Sequence, residues 1–181
     1  MQNKNNFNTI YNQYKTLVYN VALNYLQNIE DAEEITQDVF LQLYQSLDKF
    51  KNNSSLKTWI YRITINKSLD FIKHKNSVKR FFIFGKKSEN EYEIQNVSNF
   101  EHPGILLENK ENATILFKVI HELSENQKTA FILSKLDGLS NPEIAEIMQI
   151  SIASVESLIF RAKANLKNIL GIKFEEYRKK K

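Results

Sequence analysis

The 181-residue chain contains no cysteine. That excludes a disulfide framework and any thiolate metal site. It has only four glycines and two prolines, too few for a turn-rich β architecture, so the composition favours helices. Its three histidines, His74, His102 and His121, are scattered without metal-ligand spacing. Each is expected to be solvated or to cap a helix rather than bind a metal. No nucleophile–base constellation stands out, so an enzyme is not expected. The opening MQNKNNF is polar and lacks the apolar region of a signal peptide. No apolar run approaches the ~20 residues of a membrane span. The expectation is a cytoplasmic protein without membrane insertion, catalytic activity, metal or cofactor.

What is present is charge, in blocks. The net charge is +4, but residues 1–50 carry 3 basic and 6 acidic side chains and residues 51–87 carry 10 and 1. Residues 88–126 carry 2 and 8, and residues 127–181 carry 10 and 6. Alternating blocks suggest several distinct surfaces rather than one uniform polyanion binder. Two basic blocks around an acidic one suggest two nucleic-acid contacts.

The stretch 139–161, LSNPEIAEIMQISIASVESLIFR, has two short helical patterns around a tight break, the spacing of a helix-turn-helix. Ser140 and Glu143 fit a capping box, and Pro142 sits in the first turn, where its missing N–H is harmless. Ile144, Ile147 and Met148 give an apolar face, and Ala145 is small enough for close helix approach. Ile150 plugs the turn. Ser151 can cap the second helix, which Val155 and Leu158 anchor, and its first turn would meet base edges in a major groove. Gln149 falls where glycine suits a left-handed backbone. The second helix is only mildly basic, with Arg161, Lys163 and Lys167 against Glu156. Two amphipathic helices with a tight turn also occur in any helical domain, so the pattern leaves a plain packing role open.

Upstream, residues 7–26 form a helix on Phe7, Ile10, Tyr14, Leu17, Val18, Val21 and Leu26. After a break at 27–30, Asp31 is expected to cap a second helix, with Glu34 three residues on. Its buried stripe is Ile35, Val39, Leu43 and Leu47. Glu34, Gln37, Asp38 and their neighbours share another face, either solvated or a docking surface for a partner helix. A polar loop, Lys51, Asn52, Asn53, Ser54 and Ser55, precedes a third helix from about 56 to 75. There Trp59, Ile63, Asn66 and Asp70 fall on one stripe, and polar residues continuing an apolar stripe require partners if buried. Trp59, Tyr61, Arg62, Lys67, Phe71, Lys73 and Lys75 interleave cations with aromatics. That suits single-stranded nucleic acid, with bases stacking at about 1–3 kcal/mol each. The alternative is that Trp59 and Phe71 belong to the core. Residues 81–111 lose the pattern and form a linker, which argues for two domains. Helices resume near 112, one ending at His121. The next is capped by Ser124, with Gln127 at the box position, and ends near Gly138.

Together these segments resemble a bacterial RNA polymerase sigma factor of the extracytoplasmic-function group. DAEEITQDVFLQLYQSLDKF resembles its polymerase-binding helix, and SSLKTWIYRITINKSLDFIKHK its promoter −10 helix. LSENQKTAFILSKLDGLSNPEIAEIMQISIASVESLIFRAKANL resembles its −35-binding domain. The resemblance implies an all-α fold of two small helical domains joined by a flexible linker. Residues 1–80 would bind polymerase and melt the −10 element, 81–111 would link, and 112–181 would hold the helix-turn-helix. It implies that Asp31, Glu34, Gln37 and Asp38 grip core RNA polymerase. Lys51, Asn52, Asn53, Ser54 and Ser55 would pocket a base flipped from the non-template strand, at an unstacking cost of about a few kcal/mol. Asn66 would support that pocket, and Trp59, Arg62, Lys67 and Lys73 would hold the strand. Ser151, Ser154, Glu156, Ser157 and Arg161 fall in the −35 recognition region, where the resemblance makes Val155 structural. Family members often carry basic residues where this chain has Glu156 and Leu158, so Glu156 is expected either to accept from cytosine N4 or to face solvent. A linker of negative charge is compatible with a path otherwise taken by nucleic acid. An anti-sigma factor covering the same faces is also implied. The competing reading is a stand-alone helix-turn-helix regulator with an N-terminal protein-interaction module.

Overall fold

A computed structural model of the chain describes the backbone of residues 2–50, 54–85 and 110–179 and the side chains of 7–48, 50, 54–78 and 114–171. Among the described residues it contains seven α-helices, one turn of 3-10 helix and no strand. The chain divides into two compact units, Met1–His102 and Pro103–Lys181. The break falls inside the stretch expected as linker, but the third helix runs on past residue 80.

The first unit holds α1 (Gln2–Leu26), α2 (Ile29–Ser46), the 3-10 turn Leu47–Lys49 and α3 (Leu56–Gly85). Ile10, Val18, Ala22 and Leu23 of α1 meet Ala32, Ile35, Val39, Phe40 and Leu43 of α2 and Ile60 and Ile63 of α3 in one core. Leu47, expected on the α2 stripe, is half-buried in the turn after it.

Two local readings are corrected. Asp31 does not cap α2: the cap is Asn28, whose Oδ1 accepts from the Asp31 N–H at 2.8 Å. Gln27 just before it is buried in a left-handed conformation, φ 54°. Its Nε2 donates to the carbonyls of Leu23 (3.0 Å) and Asn24 (2.9 Å), closing the end of α1. On α3, Asn66 and Asp70 do not continue the buried stripe, since both are exposed. The polar residues most deeply buried on this helix are Thr64 and Ser68, both 0% exposed. Each small hydroxyl donates to the carbonyl four residues back, Ile60 and Thr64 respectively, at 2.8 Å. Burial then leaves no donor unpaired.

The second unit holds α4 (Lys110–His121), α5 (Glu125–Lys135), α6 (Asn141–Met148) and α7 (Ile152–Lys179). Its core draws on Phe117, Val119, Ile120, Ala130, Ile132, Leu133, Ile144, Ile147, Val155, Ile159, Ala162 and Leu166. Leu158, expected as an anchor of α7, is only half-buried; Ile159 takes that place beside Val155. Ser124 flanks α5 without a side-chain cap. Gln127 instead accepts from Asn165 Nδ2 of α7 at 3.0 Å, so the amide joins two helices rather than closing a box. Gly138 adopts φ 69°, a left-handed turn that lets the Leu139 N–H reach the Leu133 carbonyl at 2.9 Å.

Candidate polymerase and nucleic-acid interfaces

On α2 the buried stripe leaves Glu34, Gln37 and Asp38 exposed. Asp31 is half-buried, at 18% side-chain exposure. Leu41 (57%) and Tyr44 (52%) continue this exposed face. They follow Gln37 at i+4 and i+7 and so lie along the same side of the helix. The Tyr44 ring is held edge-on against Phe7 at 5.1 Å, and Tyr11 packs edge-on against Phe40 at 4.7 Å. Sequence reasoning named the carboxylates and amides of this face and placed position 41 or 42 beside them, but it passed over the apolar character of Leu41 and missed Tyr44. The signal was present: two large apolar residues off the buried stripe of a helix whose stripe is complete without them.

The carboxylates of α2 and the cations of α3, separate constellations in sequence, are brought together. Lys67 Nζ lies 3.3 Å from Asp38 Oδ2. Lys75 Nζ lies 2.6 Å from Asp31 Oδ2 and 5.5 Å from the Phe71 ring centroid. Exposed pairs of this kind contribute about 0–1 kcal/mol each, so they orient side chains more than they stabilise the unit. They also join the expected docking face to the expected strand-holding face. On α1 the Tyr19 phenol is raised above its ordinary pKa, first by burial and then by the Glu33 carboxylate.

Lys51, Asn52 and Asn53 lie outside the described residues. Ser54 is half-buried and Ser55 exposed. The Ser55 hydroxyl accepts from the Thr58 N–H at 3.0 Å and pairs with Thr58 Oγ1 at 2.8 Å, so it starts α3. Phe50, which sequence reasoning passed over, stacks on Trp59 with centroids 4.7 Å apart and planes at 20°. One face of the indole is therefore taken, and Trp59 and Phe71 both pack against the core. Asn66 and Lys73 are exposed, while Arg62 is half-buried.

In the second unit the turn between α6 and α7 has the expected parts. Glu143 Oε2 accepts from the Ser140 N–H at 2.9 Å and from its hydroxyl at 2.7 Å. Gln149 is left-handed, φ 57°, and the Ile150 N–H returns to the Ala145 carbonyl at 3.1 Å. The Ser151 hydroxyl accepts from the Ser154 N–H at 3.1 Å, so Ser151 caps α7 as expected. Ser154, Glu156, Ser157 and Arg161 are all exposed. Arg161 Nε donates to the Ser157 carbonyl at 3.3 Å. Asn141 Nδ2 donates to Glu156 Oε1 at 3.4 Å. Phe160 stands 74% exposed between Ser157 and Arg161. It too escaped sequence reasoning, although a phenylalanine one position past a buried isoleucine is off the core face by helical spacing.

Comparisons with known proteins are consistent across the chain. Residues 10–78 match the family model of sigma-70 region 2, and residues 114–166 that of sigma-70 region 4. The chain is 30% identical over 167 residues to the ECF RNA polymerase sigma-E factor of Haemophilus influenzae, covering 91% of this chain and 87% of that one. It is 30% identical over 171 residues to the protein of the same name from Escherichia coli K12, covering 90% and 85%. Two solved structures share the fold. CnrH in complex with the cytosolic domain of CnrY has TM-score 0.63 and 19% identity, covering 93% of this chain and 90% of that one. The sigma factor RpoE in complex with the anti-sigma factor NepR, from Bartonella quintana, has TM-score 0.62 and 20% identity, covering 92% and 98%.

Proposed function

We infer the roles below from one premise: the chain belongs to the extracytoplasmic-function RNA polymerase sigma factors. Such a factor directs core RNA polymerase to promoters and takes part in initiation. It acts in the cytoplasm, and the chemistry of chain synthesis belongs to the polymerase. Among the described residues no helix is long and apolar enough to cross a membrane.

Residues 1–80 dock on core polymerase and melt the −10 element, 81–111 link, and 112–181 bind the −35 element. Docking uses Asp31, Glu34, Gln37 and Asp38, with Leu41 and Tyr44 as apolar anchors in the same face. Exposed apolar groups rimmed by polar ones are the usual make-up of such a contact. Lys51, Asn52, Asn53, Ser54 and Ser55 receive a flipped base, Asn66 borders the pocket, and Arg62, Lys67 and Lys73 follow the strand. Trp59 stacks on Phe50 and acts through the core rather than by accepting a base on that face. Ser151, Ser154, Glu156, Ser157 and Arg161 face the −35 duplex. Phe160, on the same face, suits apolar contact with a thymine methyl. An anti-sigma factor is the natural antagonist, since an exposed apolar docking face needs a cover when polymerase is absent. A relative of the same fold is known in complex with one.

The observation that carries this reading is the junction of α2 and α3. There the carboxylate face of α2 and the cationic face of α3 meet edge to edge through Lys67–Asp38 and Lys75–Asp31. A protein bound there would hold the separated strand beside the polymerase. The test is to mix the chain with core polymerase and run transcription on candidate promoters. Failure to bind core enzyme would sink the reading. A stand-alone regulator would instead bind duplex tightly without polymerase. The only mildly basic face of α7, with Arg161, Lys163 and Lys167 against Glu156, weighs against that, because phosphate contacts supply most non-specific affinity.

A further inference from the structure

We propose that Glu156, oriented by Asn141, selects cytosine at one position of the −35 element. The proposal rests on the −35 role given to α7 above and names what that helix reads. Glu156, Ser157, Phe160 and Arg161 are exposed and fall at i, i+1, i+4 and i+5, one outward face of α7. The opposite side, Val155, Ile159, Ala162 and Leu166, is buried, so the helix can present only this outward face to a groove. Glu156 lies in its N-terminal half, the part of a recognition helix that meets base edges.

A carboxylate there is repelled by phosphates and cannot serve as a backbone contact. What it can do in a major groove is accept. Cytosine N4 and adenine N6 are both donors there, but adenine sets its N7 acceptor beside N6, which repels a carboxylate, and guanine and thymine offer only acceptors or a methyl group. The Asn141 amide, at the start of α6, donates to Oε1 at 3.4 Å. That long contact between exposed groups biases the carboxylate toward Asn141 and leaves Oε2 to accept from a base. The alternative is that Glu156 only faces solvent with a neutral neighbour, which would make every base at that position equivalent.

The experiment uses holoenzyme assembled from core polymerase and the full chain, on promoter duplexes randomised over the −35 element. The wild-type chain is expected to enrich cytosine at one position by about tenfold, the scale of one mismatched pair. Glu156→Gln is expected to move that preference to adenine, because a glutamine amide can pair with N6 and N7 together. Glu156→Ala should accept all four bases there while keeping selection at the other positions. Asn141→Ala should reduce the cytosine preference without altering the other positions. The same selection profile for wild type and Glu156→Ala would overturn the proposal. An unchanged cytosine preference in Asn141→Ala would overturn the orienting role. Absence of any −35 selection by the wild-type holoenzyme would overturn the proposal together with the −35 role, a result distinct from the first.

Discussion

The two helices assigned to DNA, α3 and α7, handle charge in opposite ways. On α3 the cations are many, and two of them, Lys67 and Lys75, are held by carboxylates of the neighbouring helix at 3.3 and 2.6 Å. On the exposed side of α7 Arg161 bonds to its own helix backbone, while Lys163 and Lys167 recur in line with an acid, Glu156, beside an aromatic, Phe160. The first helix suits a strand whose bases are splayed and whose phosphates must be followed. The second suits a duplex read at its base edges, where charge contributes little discrimination.

The largest expected effect separates docking from strand holding. Gln37→Ala combined with Asp38→Ala should weaken binding to core polymerase by roughly tenfold or more, the range for truncated polar contacts at an interface. Adding Leu41→Ala should deepen the loss, because apolar anchors at the centre of a contact dominate its energy. All three side chains are exposed, so melting of the free chain should change little. Equilibrium binding to fluorescent core enzyme measures the effect. An unchanged affinity would return this face to a merely solvated one.

Next in size is Asn66→Ala. The variant should form the closed complex normally but open promoters more slowly, by about tenfold for one lost contact to a flipped base. Base reactivity near the start site, followed in time, reports it. Exposure of Asn66 removes the alternative that it is a core amide satisfying Asp70. Normal opening would confine strand capture to the cations and the 51–53 segment.

A smaller effect tests the α2–α3 junction itself. Asp31→Asn with Asp38→Asn frees Lys75 and Lys67. The isolated chain should then bind a −10 oligonucleotide about threefold more tightly, because each exposed pair contributes no more than about 1 kcal/mol. The dependence of affinity on salt should steepen as more counterions are released. The same variant should bind core polymerase less well. Opposite signs for the two partners are the signature. Equal weakening of both would mean that the ion pairs merely hold the unit together.

Much of this was legible in the sequence because helices announce their buried faces. Ile35, Val39 and Leu43 recur at helical spacing and are buried as expected. The helix-turn-helix was readable from Ser140, Glu143, Ser151 and Val155, since caps and small apolar plugs act locally. What was not legible depended on partners distant in sequence. Nothing near Lys67 or Lys75 announces Asp38 or Asp31, and nothing near Trp59 says that Phe50 covers its ring. Gln127 looked like half of a capping box, but its amide is used by Asn165, 38 residues away. Thr64 and Ser68 were overlooked as core residues because buried hydroxyls look polar in sequence and are satisfied by their own helix.

The smallest effect compares two turns that look alike. Gln27 and Gln149 are the two non-glycine residues with left-handed backbones among those described, φ 54° and 57°. Each bears a steric cost of roughly 1–2 kcal/mol that glycine would not. Gln149 is exposed, and the bonds that close its turn come from backbone N–H groups. Gln149→Gly therefore keeps them and should stabilise the second unit by up to about 1 kcal/mol, after the entropy that glycine adds to the unfolded chain. Gln27 is buried, and its side chain supplies two hydrogen bonds to the end of α1. Gln27→Gly relieves the same strain but strips those bonds and leaves a void, at about 0.5–1.5 kcal/mol per bond before the void is counted. The first unit should become less stable. Thermal or urea melts of the two variants should thus move in opposite directions. Two shifts of the same sign would mean that backbone strain, not the side-chain cap, governs both turns.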